Sequence, residues 1–276
     1  MPSPFRGTTA FVTGASRGIG AALARELAAR GTRLVLSARR VAALEAVAAP
    51  LLEQGAAVEL LPADLARPDA PARIVDELET RGIVVDHLVN NAGWSGHGRA
   101  WEMPPEQLAG VQQVNGTAPM ELAARLLPGM LLRRRGGILN IASTAGFQGL
   151  PWTAAYGASK AFLVSWSEAL HVELRGTGVR CTVVCPGPVA TPFFAANHFP
   201  GQPPAWLMVS PESVAAFALR AYQRNRSLAT TGLLARLGAW ATRLSPRWLN
   251  ARVAEGYARP GGVGRVPTGP PPDGVP

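Results

Sequence analysis

Ala10-Phe11-Val12-Thr13-Gly14-Ala15-Ser16-Arg17-Gly18-Ile19-Gly20 is the stretch whose reading decides the fold. Its apolar start suggests a short buried strand, which runs straight into a turn with glycines at 14, 18 and 20. Residues 21–30 are alanine-rich and helical in pattern, and Gly31 supplies their end cap. Strand, glycine turn and helix in that order form a phosphate-binding arrangement. Glycines let the backbone approach a pyrophosphate, and the helix N-terminus offers unpaired N–H groups at the positive end of its dipole. The spacing is Gly-x3-Gly-x-Gly rather than the commoner dinucleotide fingerprint, so the turn alone is weak support for a nucleotide.

The second strand narrows the choice. Residues 33–40, Arg-Leu-Val-Leu-Ser-Ala-Arg-Arg, read as extended, and they end about 20 residues beyond the glycine turn, where an acid would hold the ribose 2′-hydroxyl of NAD. Arg39 stands there instead, Arg40 follows it, and Arg17 lies inside the turn. Guanidinium groups converging on a ribose suit a 2′-phosphate, which favours NADP(H) over NAD(H). The plainer alternative is two arginines snorkelling at a strand end.

Strand and helix keep alternating. Residues 58–65 read as a third strand, with Asp64 past its carboxyl end where an adenine edge could meet it, and helix 71–80 precedes strand 86–89. That strand ends in Asn90-Asn91-Ala92-Gly93: small residues let a ribose and nicotinamide lie against the backbone, and the asparagines can tie neighbouring strand ends together. The alternation predicts a Rossmann-type, doubly wound parallel sheet in a three-layer α/β/α domain over 5–224, with the site across the carboxyl ends of its strands.

The chemistry lies in residues 140–160. Ser143 follows the apolar run 138–142, and helical character from Tyr156 to Leu174 places Tyr156 and Lys160 on one face, four residues apart. A cation about 4 Å from a phenol in a partly shielded site stabilises the phenolate by up to roughly 4 kcal/mol. Tyr156 could then exchange a proton near neutrality while the Ser143 hydroxyl fixes a carbonyl or carbinol oxygen. Tyr-x3-Lys alone is more often a surface tyrosine and a solvated lysine. Here Lys160 is the only lysine in the chain, so a compact ammonium was kept where arginine serves everywhere else.

Composition excludes other classes. The chain has 276 residues, enough for one large α/β domain, and 47% hydrophobic against 16% charged residues implies that most of it is folded. Its net charge of +9 is dispersed; the tight run Arg133-Arg134-Arg135 reads as a solvated helix end, so no nucleic-acid partner is expected. Cys181 and Cys185 share one face if residues 179–184 are a strand, which suits buried thiols. His97 and His198 lack spaced partners and read as surface residues, and no metal is assigned. With no secretory signal and no apolar stretch long enough to span a bilayer, a cytoplasmic location is the default expectation.

These residues together resemble the short-chain dehydrogenase/reductase family. The matching motifs are the Thr13–Gly20 turn, Asp64, Asn90-Asn91-Ala92-Gly93, Asn115, Ser143 separated by twelve residues from Tyr156, Tyr156-x3-Lys160, and Pro186-Gly187-Pro188-Val189-Ala190-Thr191, in the family's order from about Thr8 to Tyr222. The resemblance implies that Tyr156 is the general acid or base, that Ser143 orients the substrate oxygen, and that Lys160 binds the nicotinamide ribose and lowers the tyrosine pKa. It implies that Asn115 holds a relay water. It implies further that Gly14, Ser16, Arg17, Gly18, Ile19, Gly20 and Arg39 hold the adenosine and phosphate end, Asp64 and Leu65 the adenine, and Asn91, Ala92 and Gly93 the central ribose. Pro186, Val189 and Thr191 would face the nicotinamide. Helices within 105–135 and 156–174 would pair subunits in a homodimer or homotetramer. The rival class is a nucleotide-binding regulatory or scaffold protein without turnover.

The family leaves the substrate open. Position points to Trp94 to Trp101, Gln148 to Trp152 and Phe193 to Met208, with Trp94, Gln148, Trp152, Phe193, Ser143 and Tyr156 as the pocket candidates. A mostly aromatic, apolar set with few charged anchors argues for a bulky hydrophobic ketone, aldehyde or acyl group. Beyond a last domain helix at 213–224, residues 225–259 form an extension whose run 228–244 carries Leu233, Leu234, Leu237, Trp240, Ala241 and Leu244 at helical spacing, with Arg236 and Arg243 off that stripe. Pro246 breaks the pattern, and Trp248, Leu249 and Val253 continue it. Such a basic amphipathic helix could lie on a membrane surface, cover the cleft, or pack on a partner subunit; packing on its own protein is the ordinary case. Residues 260–276, rich in glycine and proline, are expected to be disordered.

Overall fold

The computed structural model describes residues 4–197, 199 and 203–258. In chain order, β1 (Thr9–Thr13) leads to α1 (Gly18–Ala28), β2 (Arg33–Ser37), α2 (Val41–Glu53), β3 (Val58–Leu60), α3 (Ala70–Thr80) and β4 (His87–Asn90). Then come α4 (Pro105–Gln112), a π-helical turn Gln113–Thr117, α5 (Ala118–Arg133), β5 (Gly137–Ile141), a 3-10 turn Thr144–Phe147, α6 (Ala154–Glu173) and β6 (Arg180–Cys185). A short α7 (Phe193–Ala196), a 3-10 turn Ala205–Leu207, α8 (Pro211–Gln223), β7 (Leu228–Thr230), α9 (Leu233–Leu244) and α10 (Arg247–Ala258) follow.

The seven strands pair in parallel in the order β3-β2-β1-β4-β5-β6-β7. The order reverses between β1 and β4, so their carboxyl ends diverge into a crevice, the place where an open α/β sheet takes its ligand. Strands buried on both faces explain their continuous apolar character. One core joins Leu23, Leu27, Leu44, Leu219 and Tyr222 from α1, α2 and α8; the other joins Ile74, Leu78, Leu122, Met130 and Leu170 from α3, α5 and α6. The sheet is therefore covered on both sides.

Several boundaries differ from expectation. Helix α1 begins at Gly18, three residues before the alanine-rich stretch, because Gly18 and Gly20 sit inside its first turn. Strands β2 and β3 stop at Ser37 and Leu60, short of the extended runs expected to 40 and 65. Residues 228–230 do not begin a helix: the open edge of β6 takes them as a parallel strand, pairing Val183 with Leu228 and Cys185 with Thr230. Gly31, at φ +76, ends the α1 segment as expected, with its N–H donating to Ala28 O at 2.9 Å. Cys181 and Cys185 are free, buried thiols.

The arginine run is not simply solvated. It forms the end of α5, as expected, but Arg135 Nε lies 3.1 Å and Arg133 Nε 3.7 Å from Oδ1 of the buried Asp86, whose Oδ2 also accepts from Thr9 N at 3.1 Å. Two of the three guanidiniums thus neutralise a carboxylate at the amino end of the sheet, opposite the crevice. His198 and residues 260–276 lie outside the described residues. Among the described residues no helix is long and apolar enough to cross a membrane.

Candidate active site

At the carboxyl end of β1 the glycine turn is shaped by close approach. A Cβ on Gly14 would come 2.7 Å from Ala92 Cα, and one on Gly20 would collide with Gly14 O and reach 2.5 Å from Asn91 Nδ2. Gly14 and Gly18 also have positive φ, +64 and +55, which side chains disfavour. The first turn of α1 has no acidic residue and no side-chain cap, leaving its N–H groups free for an anion.

The asparagines act as the sequence suggested. Asn91 Nδ2 donates to Thr13 O and Gly14 O, each at 3.0 Å, while Asn91 N and Ala92 N donate to Thr13 Oγ1 at 3.0 and 3.1 Å. Asn90 Nδ2 reaches Asn140 Oδ1 at 2.9 Å, linking β4 to β5. The crevice floor is therefore stitched across three strands.

At the end beside β1 and β2 the cleft is lined by Gly14, Ser16, Arg17, Gly18, Ile19, Arg39, Arg40, Asp64 and Leu65. Gly20 is a cofactor candidate that does not line it; it holds the turn's shape from beneath. Burial lowers the pKa of Arg17, and Arg40 and Arg39 lower it further, so the three guanidiniums crowd one rim and repel each other. An anion placed among them would relieve that repulsion.

Ser143 follows β5, where its Oγ accepts from Ala145 N at 3.1 Å and caps the 3-10 turn, and its hydroxyl also hydrogen-bonds the Tyr156 phenol. Lys160, one helical turn after Tyr156, is buried and donates from Nζ to Ile141 O at 3.0 Å. Its Nζ lies 5.8 Å from the Tyr156 ring centroid. Burial pushes the Tyr156 phenol up to about 12, with the Ser143 hydrogen bond pulling the other way, and pushes Lys160 down to about 8. The expected lowering of the tyrosine pKa by Lys160 is thus not present in the protein alone. The ammonium is committed to the Ile141 carbonyl, and burial is the largest influence on the phenol. At neutral pH Tyr156 is a protonated phenol.

Asn115 sits on the π-helical turn, fully buried. Its Nδ2 donates to Trp94 O at 2.9 Å and Ser159 Oγ at 3.0 Å, and its Oδ1 accepts from Trp94 N at 3.0 Å. A Cβ on Gly93 would stand 3.2 Å from Asn115 Oδ1 and 3.4 Å from Lys160 Nζ. Glycine there leaves space beside Lys160, which lines the cleft, whereas Asn115 is buried behind it and does not. Among the described residues no group of three or more His, Cys, Asp or Glu could hold a metal.

The substrate side holds Trp94, Gln148, Phe193, Phe194, Phe199 and Trp206. Phe193 packs against Tyr156 with ring centroids 5.6 Å apart. Trp152 is a correction: its φ of +66 turns it onto His97 at 6.3 Å and under Arg99 at 5.0 Å, outside the lining. Trp101 also faces solvent, 79% exposed. His97, expected at the surface, instead lines the cleft and contacts Phe199 at 5.3 Å. Asn197, which the sequence did not single out, is buried and bridges two loops: its Oδ1 accepts from Ser95 N and its Nδ2 donates to Phe193 O, both at 2.6 Å. The far wall is Ala235, Gly238, Ala239 and Thr242 of α9 with Ala254 of α10.

The donor set fits a nicotinamide dinucleotide: a glycine cradle at a bare helix end, small residues at β4, and Pro186, Val189 and Thr191 across from them. The short chain dehydrogenase family model matches residues 8–199. Ketoacyl reductase HetN of Nostoc sp. is 34% identical over 219 residues, 79% of this chain and 76% of the relative. A short-chain dehydrogenase from Sphingobium yanoikuyae, solved with NADPH, matches with TM-score 0.76 at 32% identity over 86% of this chain and 93% of that one. One from Burkholderia phymatum, solved with NAD, matches with TM-score 0.77 at 28% identity over the same shares. The chain belongs to the short-chain dehydrogenase/reductase family, oxidoreductases that act on carbonyl or alcohol groups with a nicotinamide cofactor.

Proposed function

We propose that the protein is an NADPH-dependent reductase of a bulky hydrophobic ketone, aldehyde or acyl group. The observation that carries this reading is a single cleft of about 1530 Å³ with three crowded arginines at one end and an aromatic wall around the Ser143–Tyr156 pair at the other. The relative named ketoacyl reductase and the structural relative solved with NADPH support it.

The cofactor, when bound, supplies a hydride. Ser143 holds the substrate oxygen by a hydrogen bond, and Tyr156, still protonated at neutral pH, donates its proton to that oxygen as charge develops. With its phenol pushed up to about 12, Tyr156 is held at neutral pH in the protonated form that reduction requires. Lys160 places a positive charge beside the ring from its anchor on Ile141 O, and Asn115 fixes the Trp94 backbone that flanks it. Arg17, Arg39 and Arg40 would take a 2′-phosphate. Exposed Phe162 and Val172 on α6 support subunit pairing through that helix.

A panel of ketones graded in size, followed by NADPH absorbance, tests the substrate class. Each buried methylene contributes about 0.8 kcal/mol, so five of them predict roughly a thousandfold gain in kcat/KM over a small ketone. A preference for sugars or dicarboxylates would overturn the reading.

A further inference from the structure

Helix α9 has two unlike sides. Ala235, Gly238, Ala239 and Thr242 line the cleft, while Leu237, Trp240 and Leu244 are 57%, 62% and 82% exposed. At about 100° per residue the two sets fall on opposite sides of the helix, with Arg236 on a flank between them. Helix α10 repeats the pattern. Ala254 is buried, Asn250 bonds back to Thr242 O at 2.9 Å, and Trp248, Leu249 and Val253 face solvent beside the exposed Arg252. The small face is the inner one; the large apolar stripe is turned outward, against the ordinary expectation that it packs on its own protein.

We propose that this outer face of α9 and α10 docks on an anionic lipid surface, bringing the wall of the cleft to the membrane. Two observations choose this occupant. The apolar residues include two tryptophans, which settle at membrane interfaces, and the exposed Arg236 and Arg252 lie on the same two helices, where they can reach headgroups. Over residues 233–258 four arginines, 236, 243, 247 and 252, stand against a single acid, Glu255. A second copy meeting the same patch about a two-fold axis would set arginine against arginine, so charge complementarity favours an anionic surface. The proposal is independent of the substrate reading, because docking requires no turnover.

The test is flotation of the full chain with phosphatidylcholine vesicles and with vesicles carrying about 30% phosphatidylglycerol, at about 0.1 and 0.5 M NaCl, beside sedimentation velocity without lipid. The wild type should float with the anionic vesicles at least about fivefold more than with the neutral ones, and less in high salt. Trp240→Ser with Trp248→Ser should cut flotation about tenfold with NADPH binding retained. Should that pair fail to bind NADPH, Arg236→Glu with Arg252→Glu serves instead; it should stop anionic flotation, and unchanged flotation would overturn the proposal. A wild type that stays in the aqueous fraction with both vesicles would overturn it, as would a dimer that the tryptophan variant converts to monomer.

Discussion

Replacing Arg39 by aspartate tests where cofactor selectivity resides. Arg39 is exposed just beyond the end of β2, close enough to Arg17 to lower its pKa, and both line the same end of the cleft. A unit charge pair about 4 Å apart is worth about 1 kcal/mol in bulk water and about 4 kcal/mol at an effective dielectric of 20. Solvent screening at an exposed site places Arg39 in the lower part of that range, about 1–2 kcal/mol. Aspartate removes the attraction to a 2′-phosphate and adds a comparable repulsion, about 2–4 kcal/mol in all, or roughly 30- to 1000-fold in Kd. NADH has no 2′-phosphate, and a carboxylate can accept from its ribose hydroxyl, so its Kd should hold or tighten. Fluorescence titration of both cofactors reads the contrast, and added salt should shrink it. The free protein should melt no lower, because Arg17 is relieved of a like charge. Equal weakening of NADPH and NADH would refute the assignment of Arg39.

Three further outcomes follow from the packing and the pKa shifts. With Lys160 held down at about 8 and Tyr156 up at about 12, reduction under saturating NADPH should be level from about pH 6 to 7 and fall to about half by pH 8 as Lys160 loses its proton; a rate maximum near pH 10 would contradict this. Gly20→Ala pushes a methyl into Gly14 O and Asn91, so α1 must shift at a cost of about 1–3 kcal/mol, and NADPH binding should weaken at least tenfold; wild-type affinity would show that the close approach has no role. Burial pushes His87 down to about 4 from 6.5, so the unfolded chain takes up its proton first and stability falls as pH drops from 6.5 toward 4, by about 3 kcal/mol across the window. Urea midpoints of His87→Gln should show a flatter slope there, and parallel profiles would refute the linkage.

The sheet was legible because its signals are local and repeated. An apolar run ending in Gly14 or Asn90 marks a buried parallel strand meeting a ligand loop, and the Tyr156-x3-Lys160 spacing needs only helical geometry. What escaped depends on contacts remote in sequence. Nothing near Asp86 shows that Arg133 and Arg135, about 50 residues on, will neutralise it. Asn197 looks like a loop residue until Ser95 is placed beside it. Residues 228–230 lack the length of a typical strand, and the waiting edge of β6 decides them. Periodicity found the apolar stripe of α9 but could not say which side faces in; the alanines and glycine of the other face, suited to close packing, were the missed signal. The Tyr156 shift escaped for a related reason: helical spacing sets a neighbour's distance, whereas its field depends on burial and on what already occupies the ammonium.

The most direct measurement is the rate of NADPH oxidation by Tyr156→Phe with a hydrophobic ketone that the wild type reduces, paired with its NADPH Kd. Losing the proton donor while keeping the ring should lower kcat by about a thousandfold, within the range for general acid catalysis, and leave Kd within about twofold. A variant that turns over as fast as the wild type would place the proton on another group and contradict the account.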